Sequence, residues 1–444
     1  MKCIIDYGAD HSFSLANLPY GSFYTNNDAS TRRCGVAIGD YILDLQALAL
    51  TRYFPAGIPT EVLSGPTLNA FMALDKPAWL ALRLHLQQLL SSGSPISVDT
   101  TIAESILAES VHSSGSVGRR LFIDRLAGST VMCLPCTIGD YTDFYTSIEH
   151  ATNCGSLIRG PTNALQPNWK HLPVAYHGRA SSIVVSGTPI RRPVGQILDK
   201  PQDAQPIVAP CRKLDFELEV GFFYGGKETQ LGERLSPAEA ADRVFGAVLL
   251  NDWSARDIQT WEYVPLGPFL SKNFATTISP WIVPIHALEP FTCAGYTHDP
   301  PLLPYLRDAD NTNFDVPLTV AIRPAESDHT ARFECISQSS MRHTYYTVRQ
   351  MVAHHSTTGC PLRPGDLLGT GTLSAPGAEG YGSLFEKSQA GRRPFALAGG
   401  GVAVERTFLE DGDAVQMTGL IEGVDGHSVG FGECVGTVMP ALPL

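Results

Sequence analysis

The order of apolar and polar residues divides the chain into a short N-terminal part and a longer strand-rich part. In residues 35–45, apolar runs alternate with turn residues, which is typical of the short strands of a small β-barrel. Further along, a period of about 3.6 predicts one helix. The apolar residues with this period are Trp79, Leu82, Leu86, Leu89 and Leu90. The Gly/Ser tract at 113–118 is then either a linker between domains or an ordinary surface loop.

Strand patterns dominate the rest of the chain. Residues 214–223 alternate apolar and acidic positions as far as Gly221, and the apolar run at 244–250 predicts a buried strand. Further strands are predicted at 318–322, 367–372 and 414–420. We therefore expect an α+β, mainly β fold, with a small barrel over residues 1–118 and a large sandwich or rolled sheet over residues 119–444.

Composition narrows the class of protein. The 444 residues are enough for two domains, and 43% hydrophobic with 17% charged residues is typical of a soluble globular chain. The formal net charge of −12 disfavours nucleic-acid binding, which needs clustered Lys and Arg. No apolar run resembles a signal peptide or a membrane span, and the ten scattered Cys residues are expected to be reduced thiols. We expect a cytoplasmic protein that binds neither nucleic acid nor membranes.

An acidic strand face is the first candidate for chemistry. Because side chains alternate across a strand, Asp215, Glu217 and Glu219 share one face of the predicted strand at 214–223. Neighbouring carboxylates repel one another unless a cation lies between them, and a set of oxygen ligands favours Mg²⁺ or Ca²⁺. The alternative is a strand face that is simply solvated, and the pattern alone leaves both interpretations open.

Residues 249–263 supply polar groups that suit an anionic substrate. Asp252 stands at the end of a predicted strand, where its carboxylate is placed to complete a metal site. Ser254 and Asp257 have the spacing of a capping box, which predicts the start of a helix. One face of that helix carries a cation, an amide and a phenol. These are Arg256, Gln259 and Tyr263. The alternative is an ordinary amphipathic helix.

Residues 140–150 offer a candidate base. The polar groups there include Asp140, Tyr141, Asp143, Tyr145 and His150. Histidine is the side chain best suited to deprotonate water near neutral pH, although a single histidine is more often structural. A Gly-x-Ser-x-Gly pattern at 426–430 has the form found in serine hydrolases. No histidine follows His427, however, and the flanking Asp and Gly residues favour a hairpin turn.

Several longer segments resemble the fumarylacetoacetate hydrolase family. They are DYTDFY at 140–145, PNW at 167–169, LPVAYHGRASS at 172–182, GTPIRRP at 187–193, NDWSARDIQ at 251–259 and WEYVPLGPFL at 261–270. NLPYG at 17–21 and VGFGEC at 429–434 extend the resemblance over nearly the whole chain. Ala175 departs from the family's more usual Gly, and residues 148–149 replace a more polar or basic pair. These departures bear on substrate preference.

The resemblance implies a set of site residues. The metal ligands match Asp143, Glu217, Glu219 and Asp252, with Lys272 and Thr276 bordering a Mg²⁺ or Ca²⁺ ion. The substrate contacts match Tyr145, Arg159, Tyr176, Gln259, Tyr263 and Thr372. The general base matches His150 and its orienting acid matches Glu386. The groups that stabilise the anion formed during cleavage match Arg256, Gln259 and Lys272.

The resemblance also implies an architecture and a reaction. We expect an SH3-like N-terminal barrel and a β-rich catalytic domain that forms a homodimer. The implied reaction is metal-dependent hydrolysis of a carbon–carbon bond in a small β-diketo acid, with 4-fumarylacetoacetate giving fumarate and acetoacetate at the end of tyrosine and phenylalanine breakdown. Acylpyruvate hydrolases, decarboxylases and isomerases share the fold family, so fold alone leaves the reaction open. A catalytically silent homologue is a third possibility, which the presence of His150 and Glu386 disfavours.

Overall fold

An antiparallel five-stranded sheet forms the N-terminal part of the protein. The computed structural model describes residues 2–94, 96, 121–200, 202–399, 402–423 and 427–443. The strand order is β4-β3-β2-β1-β5, with β1 Tyr20–Thr25, β2 Arg33–Ile38, β3 Tyr41–Asp44, β4 Phe122–Asp124 and β5 Thr130–Cys133. The strands predicted within residues 35–45 are confirmed. The predicted domain boundary at 118/119 and the Gly/Ser tract lie outside the described residues.

The helices are short, and the longest in the described part of the chain is the one predicted from the period of residues 79–90. Asp75 is the N-cap of this helix, since its carboxylate accepts a hydrogen bond of 3.0 Å from the Ala78 amide. The helices are α1 Leu45–Ala49, α2 Asn69–Met72, α3 Lys76–Leu89, α4 Ile148–Arg159, α5 Pro237–Ala240, α6 Arg256–Glu262, α7 Ile285–Leu288, α8 Val348–Ser356 and α9 Leu384–Lys387. None of these described helices has the length and apolar character needed to cross a membrane.

A mixed eight-stranded sheet forms the centre of the longer part. Its order is β7-β6-β22-β13-β14-β16-β8, with β17 also paired to β14. The strands are β6 Tyr141–Phe144, β7 Ala175–His177, β8 Ile183–Val185, β13 Leu218–Tyr224, β14 Val244–Asn251, β16 Thr276–Ile278, β17 Val283–Pro284 and β22 Leu367–Gly369. The strand predicted at 367–372 is shorter than expected, because Gly371 turns the chain with a φ of 73°.

A second sheet of five strands packs against the first in the order β21-β20-β25-β26-β9. Its strands are β9 Ile190–Arg191, β20 Pro317–Arg323, β21 Glu334–Ser340, β25 Ala414–Glu422 and β26 Ser428–Met439. The remaining pairs are β10 Val194–Ile197 with β11 Ile207–Pro210, β12 Leu214–Asp215 with β15 Ser254–Ala255, β18 Thr292–Ala294 with β19 Thr312–Phe314, and β23 Phe395–Gly399 with β24 Val402–Arg406. The mainly β fold expected from the sequence is confirmed.

The hairpin predicted around the Gly-x-Ser-x-Gly pattern is also confirmed. Strands β25 and β26 are antiparallel, and Glu422 lies opposite Ser428 across the turn. Residues 424–426 lie outside the described part. The Ser428 hydroxyl is buried and donates to the Ala9 carbonyl oxygen at 2.8 Å. Its role is therefore structural, because this bond joins the hairpin to the N-terminal segment.

The central sheet is covered on both faces, which explains why all eight residues of β14 are buried. Leu249 belongs to the core shared with the second sheet, whereas Val248 and Leu250 belong to the core shared with the N-terminal part. The N-terminal segment also reaches the second sheet, where Phe13 bridges Val429. The two parts of the chain therefore share the core on one face of β14.

This shared core predicts that the two parts unfold together. The Phe245 ring of β14 packs edge-on against Trp79 at 5.1 Å and contacts Tyr20 and Phe71 at 5.8 Å. Phe245→Ala should lower the free energy of unfolding by about 3–5 kcal/mol, because it leaves a cavity in this cluster. Denaturation monitored by circular dichroism should still show one transition. Leu84→Ala, on the exposed side of α3, is the control. Two separate transitions would contradict the shared core.

Candidate active site

A buried acidic pocket lies at one end of the central sheet. Glu219 is on β13 and Glu217 immediately precedes that strand, while Asp252 follows β14 and Asp143 is on β6. All four carboxylates are buried, so the solvated strand face considered above is wrong. Ligand oxygens of Asp143, Glu219 and Asp252 lie within 4.8 Å of one another. The sheet thus brings together acidic residues that are up to 109 positions apart in the sequence.

A glycine makes room for this pocket. Strands β6 and β22 are parallel, which places Asp143 opposite Gly369. A Cβ atom at position 369 would lie 2.9 Å from Glu219 Oε2 and 3.2 Å from Asp143 Oδ1. Glu219 Oε2 is itself held by a hydrogen bond of 3.0 Å from the Gly371 amide. The two carboxylates can approach each other only because residue 369 has no side chain.

Two cations neutralise one side of the pocket. The Lys272 ammonium donates to both Glu217 and Asp252, and Arg256 donates to Glu217 Oε1 at 2.8 Å and to Asp215 Oδ2 at 2.9 Å. Burial alone would raise the pKa of Glu217, but Lys272 and then Arg256 hold it well below its usual range. Glu217 is therefore an anion that is satisfied by its protein partners. Asp215 lies apart from the cluster of three carboxylates.

The other side of the pocket lacks such partners. Burial and the repulsion of neighbouring carboxylates raise the pKa of both Asp143 and Glu219. Asp143 Oδ1 and Glu219 Oε1 are buried without a hydrogen-bond partner among the described residues, which is costly for a carboxylate oxygen. The pocket holds five carboxylates, including Asp215, against the two cations. An all-oxygen donor set with excess negative charge fits a hard divalent cation.

A second cluster joins His150 to Glu386. His150 Nδ1 donates to Glu386 Oε2 at 2.7 Å, and both side chains are buried. Glu386 also accepts hydrogen bonds of 2.8–2.9 Å from Asn153, Ser374 and Ser383. These partners satisfy the carboxylate. The spacing of the cluster, which includes Cys154, would also admit a metal ion, but its hydrogen bonds identify a His–Glu pair.

Electrostatics favour a protonatable imidazole in this cluster. Burial alone would lower the pKa of His150, but Cys154 and Glu386 raise it well above histidine's usual value. Burial raises the pKa of Cys154 itself, so this thiol is neutral near pH 7. The Glu386 carboxylate is therefore the charge that raises the pKa of His150.

Polar side chains surround the pocket and the His–Glu pair. The Tyr145 ring meets His150 edge-on at 5.5 Å, and the Tyr176 hydroxyl donates to Asp252 Oδ2 at 3.1 Å. Gln259 Oε1 accepts from Arg256 at 3.1 Å. Thr276 donates to Asp252 Oδ1 at 3.2 Å. The structure brings these predicted residues into direct contact with the acidic pocket or with the pair.

Three of the predicted substrate-binding residues lie outside the network of contacts around the acidic pocket. Thr372 is buried in the segment after β22, and Tyr263 ends α6 with about 39% of its surface exposed. Arg159, at the end of α4, donates to the carbonyl oxygens of Asn163 and Ala164 at 3.1 and 2.6 Å. Among the described residues, no side-chain hydrogen bond joins these three to the acidic pocket.

An open cavity of about 360 Å³ leads to the carboxylates. Its lining includes Tyr141, Tyr176, Asp252, Phe269, Lys272 and Thr276. This volume is at the small end of the range for small-molecule sites. The pocket therefore admits a ligand of modest size to the acidic cluster.

The predicted capping box is wrong. Ser254 lies in β15, which pairs with β12, and its hydroxyl donates to the Asp252 carbonyl oxygen at 3.0 Å. Asp257 instead accepts from the Cys211 thiol and from the Arg212 amide, at 3.0 and 2.7 Å. Helix α6 begins at Arg256 without a side-chain cap. Strand pairing with a distant segment overrides the local spacing.

Three residues that hold the His–Glu pair in place were not predicted from the sequence. Asn153 lies three positions after His150 on α4, and Ser383 lies three positions before Glu386 as the cap of α9. Both spacings were visible once the pair was known. Ser374 reaches Glu386 from the loop after β22, and no local pattern marks it.

Closing the space at Gly369 should weaken cation binding. In Gly369→Ala, the added methyl group must displace the ends of Glu219 or Asp143, which changes the ligand geometry more than the fold. We expect the affinity for Mg²⁺ or Ca²⁺, measured by calorimetry on metal-free protein, to fall by about 10–100-fold. Gly128→Ala, where a Cβ meets nothing within 4 Å, should bind like the unmodified protein. Unchanged affinity in Gly369→Ala would show that the ion binds elsewhere.

Comparisons with known proteins show the family of this chain. Residues 16–114 match the model of the fumarylacetoacetase N-terminal family, and residues 141–439 match that of the fumarylacetoacetate (FAA) hydrolase C-terminal family. Fumarylacetoacetase of Arabidopsis thaliana is 47% identical over 446 residues, covering 100% of this chain and 99% of that protein. Fumarylacetoacetase of Homo sapiens is 47% identical over 440 residues, covering 99% of each. A solved fumarylacetoacetate hydrolase from psychrophilic Exiguobacterium antarcticum shares the fold, with a TM-score of 0.50 at 15% identity over 95% of this chain and 99% of that one. The chain belongs to the fumarylacetoacetate hydrolase family.

Proposed function

We propose that this enzyme hydrolyses 4-fumarylacetoacetate to fumarate and acetoacetate, the reaction that completes tyrosine and phenylalanine breakdown. The observation that carries the proposal is a buried His–Glu pair next to an acidic pocket whose donor set fits a divalent cation. The names of the relatives that match along the whole chain supply the substrate. The reaction is a hydrolysis at a carbon–carbon bond of a β-diketo acid.

The acidic pocket holds the divalent cation in this proposal. Asp143, Glu217, Glu219 and Asp252 are the ligand residues, and Lys272 and Thr276 border them. Mg²⁺ and Ca²⁺ both suit an all-oxygen site. When bound, the cation polarises the carbonyl groups of a diketo acid and stabilises negative charge that develops on them. The two unpartnered carboxylate oxygens support this assignment.

His150 is the general base. Its Nδ1 proton is donated to Glu386, which fixes the tautomer and makes Nε2 the nitrogen that accepts a proton from water. The Cys154 thiol lies 3.6 Å from Nε2. The resulting hydroxide adds to the carbonyl carbon and gives a tetrahedral oxyanion. When this oxyanion collapses, the carbon–carbon bond breaks and its electron pair leaves on the departing carbon, to which the imidazolium returns the proton. Glu386 acts by orienting the ring and stabilising its charged form, in the way that an acid supports histidine in other hydrolases.

The anion that forms during cleavage is stabilised by Arg256, Lys272 and Gln259. Although burial lowers the pKa of each cation, neighbouring carboxylates raise it overall, so both remain charged near neutral pH. Gln259 turns its oxygen toward Arg256, which leaves its amide NH₂ available to a substrate oxygen. Fixed donors of this kind stabilise charge in the transition state without reorganising.

The remaining assignments concern substrate binding and assembly. Tyr145, Arg159, Tyr176, Tyr263 and Thr372 contact the substrate in this proposal, with Arg159 suited to a carboxylate group. We assign residues 1–118 to an SH3-like N-terminal domain and residues 119–444 to the catalytic domain, although β4 and β5, which follow residue 118, pair with the N-terminal sheet. We further assign the enzyme to the cytoplasm as a C₂ homodimer. Exposed apolar side chains at 264–270 support an interface on the catalytic domain.

Turnover of 4-fumarylacetoacetate in the presence of Mg²⁺ or Ca²⁺ should be seen as loss of the diketone absorbance. His150→Ala should reduce kcat by about 10²–10⁴-fold or more, because the base is removed, while KM changes little. The control is His329→Ala, which removes an imidazole whose side chain is 91% exposed. Preferential turnover of acetylpyruvate would instead identify an acylpyruvate hydrolase. Near-native turnover by His150→Ala would exclude the His–Glu pair.

The pH dependence of kcat/KM should change when the charge of Glu386 is removed. Only neutral His150 accepts a proton, so kcat/KM rises with pH through the pKa of His150, which Glu386 raises above the usual value of about 6.5. Glu386→Gln removes that charge while burial remains, so the midpoint should move to lower pH. The loss of kcat should be smaller than in His150→Ala. Glu149→Gln, which neutralises a neighbouring carboxylate bonded to Tyr296, should leave the midpoint unchanged. A midpoint that stays or rises in Glu386→Gln contradicts the assignment.

A further inference from the structure

Tyr141 carries a buried hydroxyl whose role is unassigned. Tyr141 and Asp143 are two residues apart on β6, so both side chains project from the same face of the strand. Only about 3% of Tyr141 is exposed, and its hydroxyl has no hydrogen-bond partner among the described residues. Leaving a buried hydroxyl without a partner costs free energy, so this group needs a partner from outside the protein chain.

The hydroxyl faces the same small space as the unpartnered Asp143 Oδ1 and as Glu219 Oε2, which accepts from the Gly371 amide. The position that a Cβ at Gly369 would occupy lies 3.2 Å from the Tyr141 hydroxyl, 3.2 Å from Asp143 Oδ1 and 2.9 Å from Glu219 Oε2. The hydroxyl nevertheless bonds to neither carboxylate. Three polar groups therefore surround one space, and none of them satisfies another.

A phenol hydroxyl can both donate and accept a hydrogen bond. The Tyr141 hydroxyl is therefore suited to bind a water molecule held beside the carboxylates.

We infer that Tyr141 is part of the divalent-cation site, where its hydroxyl hydrogen-bonds to the hydration shell of the bound ion. The inference rests on the proposed ion in the acidic pocket. Hard cations commonly retain water molecules, and neighbours that orient the shell of an ion contribute to its affinity. Tyr141 is a positioning residue here, because its hydroxyl forms no hydrogen bond with the His–Glu pair or with the four carboxylates.

Removing only the hydroxyl tests this inference. Tyr141→Phe keeps the ring, which packs closely over Gly178, where a Cβ would lie 2.2 Å from it. In calorimetric titrations of metal-free protein with MgCl₂ or CaCl₂, we expect about 10–100-fold weaker binding than in the unmodified enzyme. Tyr20→Phe is the matched control, because Tyr20 also has a buried hydroxyl without a described partner, but its ring packs against Phe71 and Phe245 at 5.3 and 5.8 Å. It should bind the ion normally.

Thermal unfolding separates a role at the ion from a purely structural role. Without a divalent ion, Tyr141→Phe should have a Tm at least as high as the unmodified protein, because an unsatisfied hydroxyl is gone. With saturating ion for the unmodified protein, the variant should gain less in Tm. Equal affinity and equal gains would overturn the inference but leave the proposed function intact. If the unmodified protein binds neither ion, the proposed cation fails, and the inference fails with it.

Discussion

Buried negative charge is the constraint on which the rest of the site depends. Carboxylates removed from water are stable only when cations or hydrogen-bond donors surround them. Lys272 and Arg256 fulfil this requirement for Glu217, and Ser374, Ser383 and His150 do so for Glu386. Asp143 and Glu219 are the two positions where the protein supplies too little, and the acidic pocket is consequently the part of the fold that calls for an added cation.

Asp215 connects the two halves of the site. One of its oxygens accepts from Arg256, and the carboxylate also accepts from the amides of Leu384 and Phe385 at the start of α9. The same α9 carries Glu386. A single buried carboxylate thus fixes the guanidinium beside the acidic pocket and the helix that orients the base. This arrangement explains why Asp215 lies on the acidic strand face without joining the cluster of three carboxylates.

Local patterns predicted the parts of this structure that depend on neighbouring residues. The alternation at 214–220 placed Glu217 and Glu219 on one face, and the apolar run at 244–250 predicted β14, because a strand's periodicity is local. The partner of His150 could not be predicted from a local pattern. Glu386 lies 236 positions away, and only the family resemblance connected the two. At Ser254 a local pattern gave a wrong prediction. The spacing of a capping box predicted a helix start there, but the residue pairs with β12 as part of a strand.

The contact between the beginning and the end of the fold has a consequence for synthesis. Ser14 donates to the carbonyl oxygen of Ser428, 414 positions away, and Asn17 donates to that of Gly430. A ribosome must therefore complete β26 before the N-terminal segment has its partners. Until then, apolar surface around Phe13 stays open to solvent, a state in which nascent chains depend on chaperones. Premature termination near β26 would consequently leave Ser14 and Asn17 without these partners, although the whole N-terminal segment had been made.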